Sequence, residues 1–280
     1  MSRRVLVTGG ASGLGAALVA EFLKRGDRVL VTDLADDDRH LAAPQVPPRH
    51  ATSATSSYLR LDVTSDADWA AARAWVEEQW GGLDVLVNNA GIATGGRIDV
   101  VSMEEWQGVI DVNLLSVVRG CRTFVPLMKA QSEDGQAPGH IVNTASLAGL
   151  VHPPAMASYT AVKAAVVAVS ETLSYELSPW GIAVSAVCPG FFRTNLASSL
   201  KGSDAAMDKI AARLIDKSPL DAAQVAAEVM KGIDARRMVI VPDAPARKAV
   251  LMKRFARPLY DREQRSFADR IHSITQKTKD

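Results

Sequence analysis

From Arg3 to Gly190 the chain alternates short apolar runs with longer stretches in which apolar residues recur every three or four positions. The runs at 5–8, 28–32, 58–61, 83–87, 141–145 and 182–187 are rich in Val, Leu and Ile, and glycine, asparagine or proline follows several of them. Such runs predict strands buried on both faces. Helical periodicity predicts helices over 16–24, from Ser65 to the Gly81-Gly82 pair, from Ser102 to about Lys129, and from Ser158 to Pro179. Ser65 with Asp68, Ser102 with Glu105 and Asp221 with Gln224 carry capping-box spacing, in which two side chains satisfy free amides at a helix start. Strands alternating with helices at this spacing imply an α/β, doubly wound parallel sheet with helices on both faces.

Composition narrows the picture. The 280 residues are 48% hydrophobic, enough to bury a substantial core. A formal net charge of +1 gives no field that would draw nucleic acid. The apolar runs fall short of the ~20 residues that a membrane-spanning helix needs. Met1 to Arg4 lead straight into a strand with no signal-peptide pattern, so a cytoplasmic, soluble protein is expected. Cys121 and Cys188 lie apart in apolar surroundings, which reads as buried reduced thiols and no metal site. Residues 35–57 break the pattern with three consecutive aspartates and three prolines, as a long surface loop does. Trp69, Trp75 and Trp80 share one helix and read as packing residues.

Candidate chemistry sits where strands end. The first strand runs into Gly9-Gly10-Ala11-Ser12-Gly13-Leu14-Gly15, whose glycines permit a tight turn and close approach of backbone to a pyrophosphate at a helix start. The spacing departs from GxGxxG, and a glycine-rich loop alone is often only a turn; the strand–loop–helix setting favours phosphate binding. The second strand ends at Asp33, which would accept hydrogen bonds from ribose hydroxyls and repel a 2′-phosphate. A helix cap is the other reading of Asp33. No Lys or Arg stands at 11, 12, 34 or 35, so NAD is favoured over NADP. Asn88-Asn89-Ala90-Gly91 suits close approach to a ligand, and Asn113, polar among apolar neighbours, calls for a defined partner. Tyr159 and Lys163 stand one helical turn apart, where an ammonium would favour the phenolate, and Ser146 ends a strand beside them. His152 lacks an acidic orienter nearby and reads as loop lining.

Together Thr8 to Gly15, Asn88-Asn89-Ala90-Gly91, Asn113, Ser146, Tyr159-x-x-x-Lys163 and Pro189-Gly190 resemble the classical short-chain dehydrogenases/reductases over roughly 3–242. The resemblance implies a single Rossmann-fold domain over 1–245 with a seven-stranded parallel sheet, the last strand at 238–241. It implies that Tyr159 is the general acid/base and that Lys163 lowers its pKa while holding the nicotinamide ribose. By the same resemblance Ser146 positions the substrate oxygen, and Asn113 holds a water in a relay to Lys163. Gly9, Ser12, Gly13 and Leu14 would meet the phosphates or ribose, and Asp62 and Val63 the adenine. Asn89, with Ala90 and Gly91, would border the ribose, while Pro189, Gly190, Phe192 and Thr194 would border the nicotinamide side. A homodimer or homotetramer is implied by analogy.

Two departures accompany the likeness. Phe191-Phe192 is bulkier than the β-branched residue common after Pro189-Gly190, which bears on pocket shape. The second is a basic, helical extension over 246–280, with ten Lys/Arg against four Asp/Glu. Its helix at 247–255 is read as packing on its own subunit or a neighbour in preference to contact with a membrane surface. Residues 191–218 are expected to form a substrate lid, and Leu150, Met156, Phe191, Phe192, Leu196 and Leu200 an apolar pocket. The reaction implied is interconversion of a secondary alcohol and a ketone with NAD. An NAD(H)-binding sensor or scaffold is the alternative, together with sugar epimerisation or dehydration by an extended-type relative.

Overall fold

The structure is a computed structural model, described over residues 2–35, 56–194 and 202–276. Seven parallel strands form one sheet in the order β3-β2-β1-β4-β5-β6-β7. They are β1 (Arg4–Thr8), β2 (Arg28–Asp33), β3 (Ser56–Arg60), β4 (Val85–Asn88), β5 (His140–Thr144), β6 (Ala183–Val187) and β7 (Val239–Ile240). Order reverses between β1 and β4, where an open α/β sheet parts its carboxyl ends into a crevice. The long surface loop expected at 35–57 falls mostly outside the described residues.

Alternation along the strands divides the core in two. Leu6, Leu30, Leu86, Ile141 and Val184 point to one face, where α2 (Asp66–Trp80), α4 (Ser116–Glu133) and α6 (Ala157–Glu176) pack. Val5, Val7, Val29, Val31, Val85 and Val87 point to the other, covered by α1 (Gly13–Lys24) and α8 (Ala222–Asp234). Each fully buried Leu or Phe contributes ~1.5–3 kcal/mol, so this two-sided burial dominates stability. Trp69 sits edge-on to Phe124 at 6.4 Å and Trp75 edge-on to Trp80 at 5.0 Å, as packing residues do. Both cysteines are free and buried.

The amino ends of the strands are closed by charge. Arg3 pairs with Asp27 and Arg4 with Asp84, each carboxylate also accepting the backbone amide of its arginine. Gln131 returns two hydrogen bonds to the Leu83 backbone. The helix expected from Ser102 to about Lys129 is composite: α3 (Met103–Ile110), a π turn at Asp111–Leu115, then α4. Its capping box forms as the sequence predicts, and so does that of α8 at Asp221. After β5 come α5 (Ala148–Val151) and then α6; α7 (Ala205–Asp216) stands in the expected lid region. The chain closes with α9 (Ala244–Phe255) and α10 (Arg257–Gln276). Among the described residues no helix is long and apolar enough to cross a membrane.

His140 gives the fold a pH dependence. Its Nε2 lies 2.8 Å from Ser185 Oγ, which itself donates to the Arg237 carbonyl, so the network assigns the ring as a neutral Nε2–H donor. Burial, then the charges of Arg236 and Arg3, push its pKa down to about 4. The unfolded ring binds its proton near pH ~6.5. Between these values the unfolded state holds more protons, so acid favours unfolding and up to roughly 3 kcal/mol is lost as pH falls through the window. Thermal melts from neutral pH to pH ~4 should therefore show a shallower loss for His140→Gln than for the wild type; parallel curves would refute the assignment.

Candidate active site

The carboxyl ends of six strands, β1 to β6, converge on one cavity of about 550 Å³. After β1 the chain turns at Gly13 (φ 53°), where a Cβ would also stand 2.7 Å from Thr194 Oγ1, and enters α1. The Ser12 hydroxyl does not cap that helix and no acidic residue occupies its first turn. Its free amides are thus left with the positive end of the helix dipole at the cavity wall, a place for phosphate oxygens. Thr8 braces the turn: its Oγ1 accepts the amides of Asn89 and Ala90, while Asn89 Nδ2 donates to the carbonyls of Thr8 and Gly9. At the end of β2, Asp33 accepts the amides of Ala11 (3.0 Å) and Leu34 (2.8 Å), which fixes its carboxylate at the rim. It is no helix cap.

Gly9, Ser12, Gly13, Leu14, Asp33, Asp62, Val63, Asn89, Ala90, Gly91, Ser146, Tyr159, Lys163, Pro189, Gly190, Phe192 and Thr194 all border this cavity. Asn113 does not. Its side chain is buried and spent on Ile92, accepting that residue's amide at 2.8 Å and donating to its carbonyl at 2.9 Å. The defined partner expected of it is therefore backbone, on the loop after β4. Below it lies a buried amide chain: Asn88 donates to Asn143, Asn143 to Ser170, and Ser170 to the Val166 carbonyl. That chain ties β4, β5 and α6 into one frame.

Within the frame Tyr159 and Lys163 rise from α6. The Lys163 ammonium is 5.8 Å from the Tyr159 ring centroid and donates to the Thr144 carbonyl at 2.8 Å. Gly149 permits this closeness of α5 and α6, since a Cβ there would be 2.6 Å from the Lys163 carbonyl. Burial pushes Lys163 down to about 8. Burial raises the Tyr159 phenol above its ordinary value, with a hydrogen bond to Ser146 opposing. The Lys163 ammonium faces the Thr144 carbonyl, and burial is the largest influence on the phenol in this arrangement. Cys188 nearby is pushed up to about 12 by burial and stays a neutral thiol.

Most of the remaining wall is apolar: Ile92, Ala93, Val151, Pro153, Met156, Phe191 and, from α7, Ala211 and Ile215, with the hydroxyl of Thr94 among them. Met156, Phe191 and Phe192 thus lie where an apolar pocket was expected, whereas Leu150 packs into the core instead and Leu196 and Leu200 fall outside the described residues. His152 does not line the cavity; its ring faces the Gly149 carbonyl and Lys253. The helix α7, in the region expected to form a lid, is pinned by Asp204, which caps it and accepts three hydrogen bonds from Arg97. Asp243, in no expected set, caps α9 and accepts the Gly190 amide at 3.1 Å. Uncapped amides at one end, a carboxylate at the rim and a Tyr–Lys pair at the other end fit a dinucleotide lying across the strand ends. Among the described residues no cluster of side chains could hold a metal ion.

The family model of the short chain dehydrogenases matches residues 3–205. The chain is 37% identical over 233 residues to the 2-(R)-hydroxypropyl-CoM dehydrogenase of Xanthobacter autotrophicus, covering 82% of this chain and 90% of that one. It is 39% identical over 189 residues to a 3-alpha-(or 20-beta)-hydroxysteroid dehydrogenase of Mycobacterium tuberculosis, covering 68% of each. A short-chain dehydrogenase/reductase from Burkholderia phymatum solved in complex with NAD superposes with a TM-score of 0.82 at 30% identity, over 92% of this chain and 95% of that one. A short-chain dehydrogenase from Sphingobium yanoikuyae in complex with NADPH superposes with a TM-score of 0.70 at 27% identity, over 92% and 96%. The chain belongs to the classical short-chain dehydrogenase/reductase family, and is an oxidoreductase that acts on CH–OH groups with a nicotinamide cofactor.

Proposed function

We propose that the enzyme interconverts a moderately apolar secondary alcohol and its ketone, with NAD preferred to NADP. The observation that carries this reading is the joining, in one cavity, of a hydroxyl–phenol–ammonium set with an anion-binding helix start and a rim carboxylate. When bound, the oxidised nicotinamide supplies the hydride-accepting carbon and a positive charge. Tyr159 takes the alcohol proton in oxidation and returns it in reduction. Ser146, hydrogen-bonded to the phenol, orients the substrate oxygen beside it. Lys163 holds the ribose and, with a pKa near 8, exchanges protons around neutrality. Asn113 acts by fixing the loop at Ile92 on which the substrate end is built.

The substrate class follows from what borders the far end. Among the described residues there, Val151, Pro153, Met156 and Phe191 present hydrocarbon, and no side chain offers a charge to pair with a carboxylate or phosphate. An uncharged ring or chain of modest size suits such a wall. The NAD preference rests on Asp33, whose carboxylate is already fixed by two amides and keeps lone pairs for ribose hydroxyls. A 2′-phosphate would meet that charge.

Both assignments are open to direct measurement. Tyr159→Phe should lower kcat by roughly 10²–10⁴-fold, the range for loss of a general acid/base, with NADH affinity unchanged by fluorescence titration. Retained turnover would remove Tyr159 from the chemistry. Asp33→Ala should narrow the ratio of kcat/KM for NAD over NADP by roughly tenfold or more, the value of hydrogen bonds to a charged group. Unchanged selectivity would show that discrimination lies elsewhere.

A further inference from the structure

We propose that the C-terminal extension sets the width of the substrate end, with Lys253 and Tyr260 acting as positioning residues for the cavity wall between Leu147 and Met156. The inference rests on reading the apolar end of the cavity as the substrate end. Ala148, Val151, Pro153 and Met156 form that wall, and the segment carrying them is poorly held by its own sequence. The helix α5 has only four residues, so its last carbonyls find no acceptor role within it. Beyond it His152 (φ 55°) and Ala155 (φ 56°) adopt left-handed backbone, which side-chain-bearing residues keep only where their surroundings impose it.

The extension imposes it. Lys253 of α9 donates to the Leu150 carbonyl at 2.5 Å and to His152 Nδ1 at 2.9 Å. With Nδ1 accepting, the neutral ring turns its Nε2–H to the Gly149 carbonyl at 3.2 Å. Tyr260 of α10, 3% exposed, donates its hydroxyl to the Val151 carbonyl. On the far side the Gly96 amide donates to the Ala155 carbonyl at 2.8 Å. Asp243, at the head of the same extension, holds the Gly190 amide of a second wall. Apart from the bond to His152 Nδ1, which does not line the cavity, these contacts reach backbone atoms, so they fix where the wall stands and leave its side chains free to face substrate.

The double variant Tyr260→Phe with Lys253→Met keeps the apolar bulk of both side chains and removes the donors to Leu150, Val151 and His152. Steady-state kinetics on secondary alcohols graded in size should show the kcat/KM ratio of the bulkiest to the smallest shifting by roughly tenfold, through KM. The kcat on the smallest alcohol and the NADH affinity should stay at wild-type values. Amide hydrogen exchange across 147–156 should quicken while exchange in β5 does not, which also shows the variant is folded. An unchanged size profile overturns the proposal, as does a parallel fall of kcat and NADH affinity, the mark of a merely structural role. Faster exchange at 147–156 in a chain whose wild type turns over no alcohol would support the grip and count against the substrate reading alone.

Discussion

Burial of the sheet on both faces governs everything else in this molecule. Mostly leucines fill one side of the strands and mostly valines the other, so a polar group on either face needs a partner. Chemistry is pushed to the strand ends. The amino ends are taken by the Arg3–Asp27 and Arg4–Asp84 pairs. That leaves the carboxyl ends, where parallel strands deliver Thr8, Asp33, Asn88 and Thr144 to one edge from four separate stretches of sequence. A helix start, a carboxylate and an amide network meet there because the strands run the same way.

Lys163 shows how the frame and the chemistry depend on each other. An ammonium in a buried site costs several kcal/mol unless it is paired or gives up its proton. Here it has a single backbone carbonyl, that of Thr144, and its pKa falls to about 8 in response. Burial outweighs the opposing influence of Cys188. The group is thereby left able to gain or lose a proton at working pH, a property that an exposed lysine lacks. Close packing of α5 on α6, which Gly149 permits, goes with the burial of this side chain. The chemical poise of the site is therefore a consequence of packing.

How much of this could be read from residue types alone follows from the kind of contact involved. The strands, the glycine turn, Asp33 and the two capping boxes are legible because each leaves a pattern in neighbouring residues. Asn113 is legible as a polar residue needing a partner, but the partner is the backbone of Ile92, which any residue would supply. The π turn beside it has no compositional mark. Left-handed backbone at His152 and Ala155 escapes notice because neither is Gly or Asn, and tertiary contacts impose it. Leu150 looks like pocket lining by its place in sequence; its side chain turns into the core.

The same distinction separates the two ends of the cavity. The end proposed for the dinucleotide is built from motif residues within β1, β2 and β4 and the turns that follow them, so a sequence motif and a cavity wall coincide. The other end is held from behind by residues outside its lining: Asp204 on Arg97, Asp243 on the Gly190 amide, Lys253 and Tyr260 on the Leu150 and Val151 carbonyls. Three of these four come from the last forty residues or so of the chain, beyond the span that the family model matches. On the reading proposed above, changes there would reshape the wall and leave Ser146, Tyr159 and Lys163 in place. A scaffold divided in this way can keep one reaction and vary what it acts on.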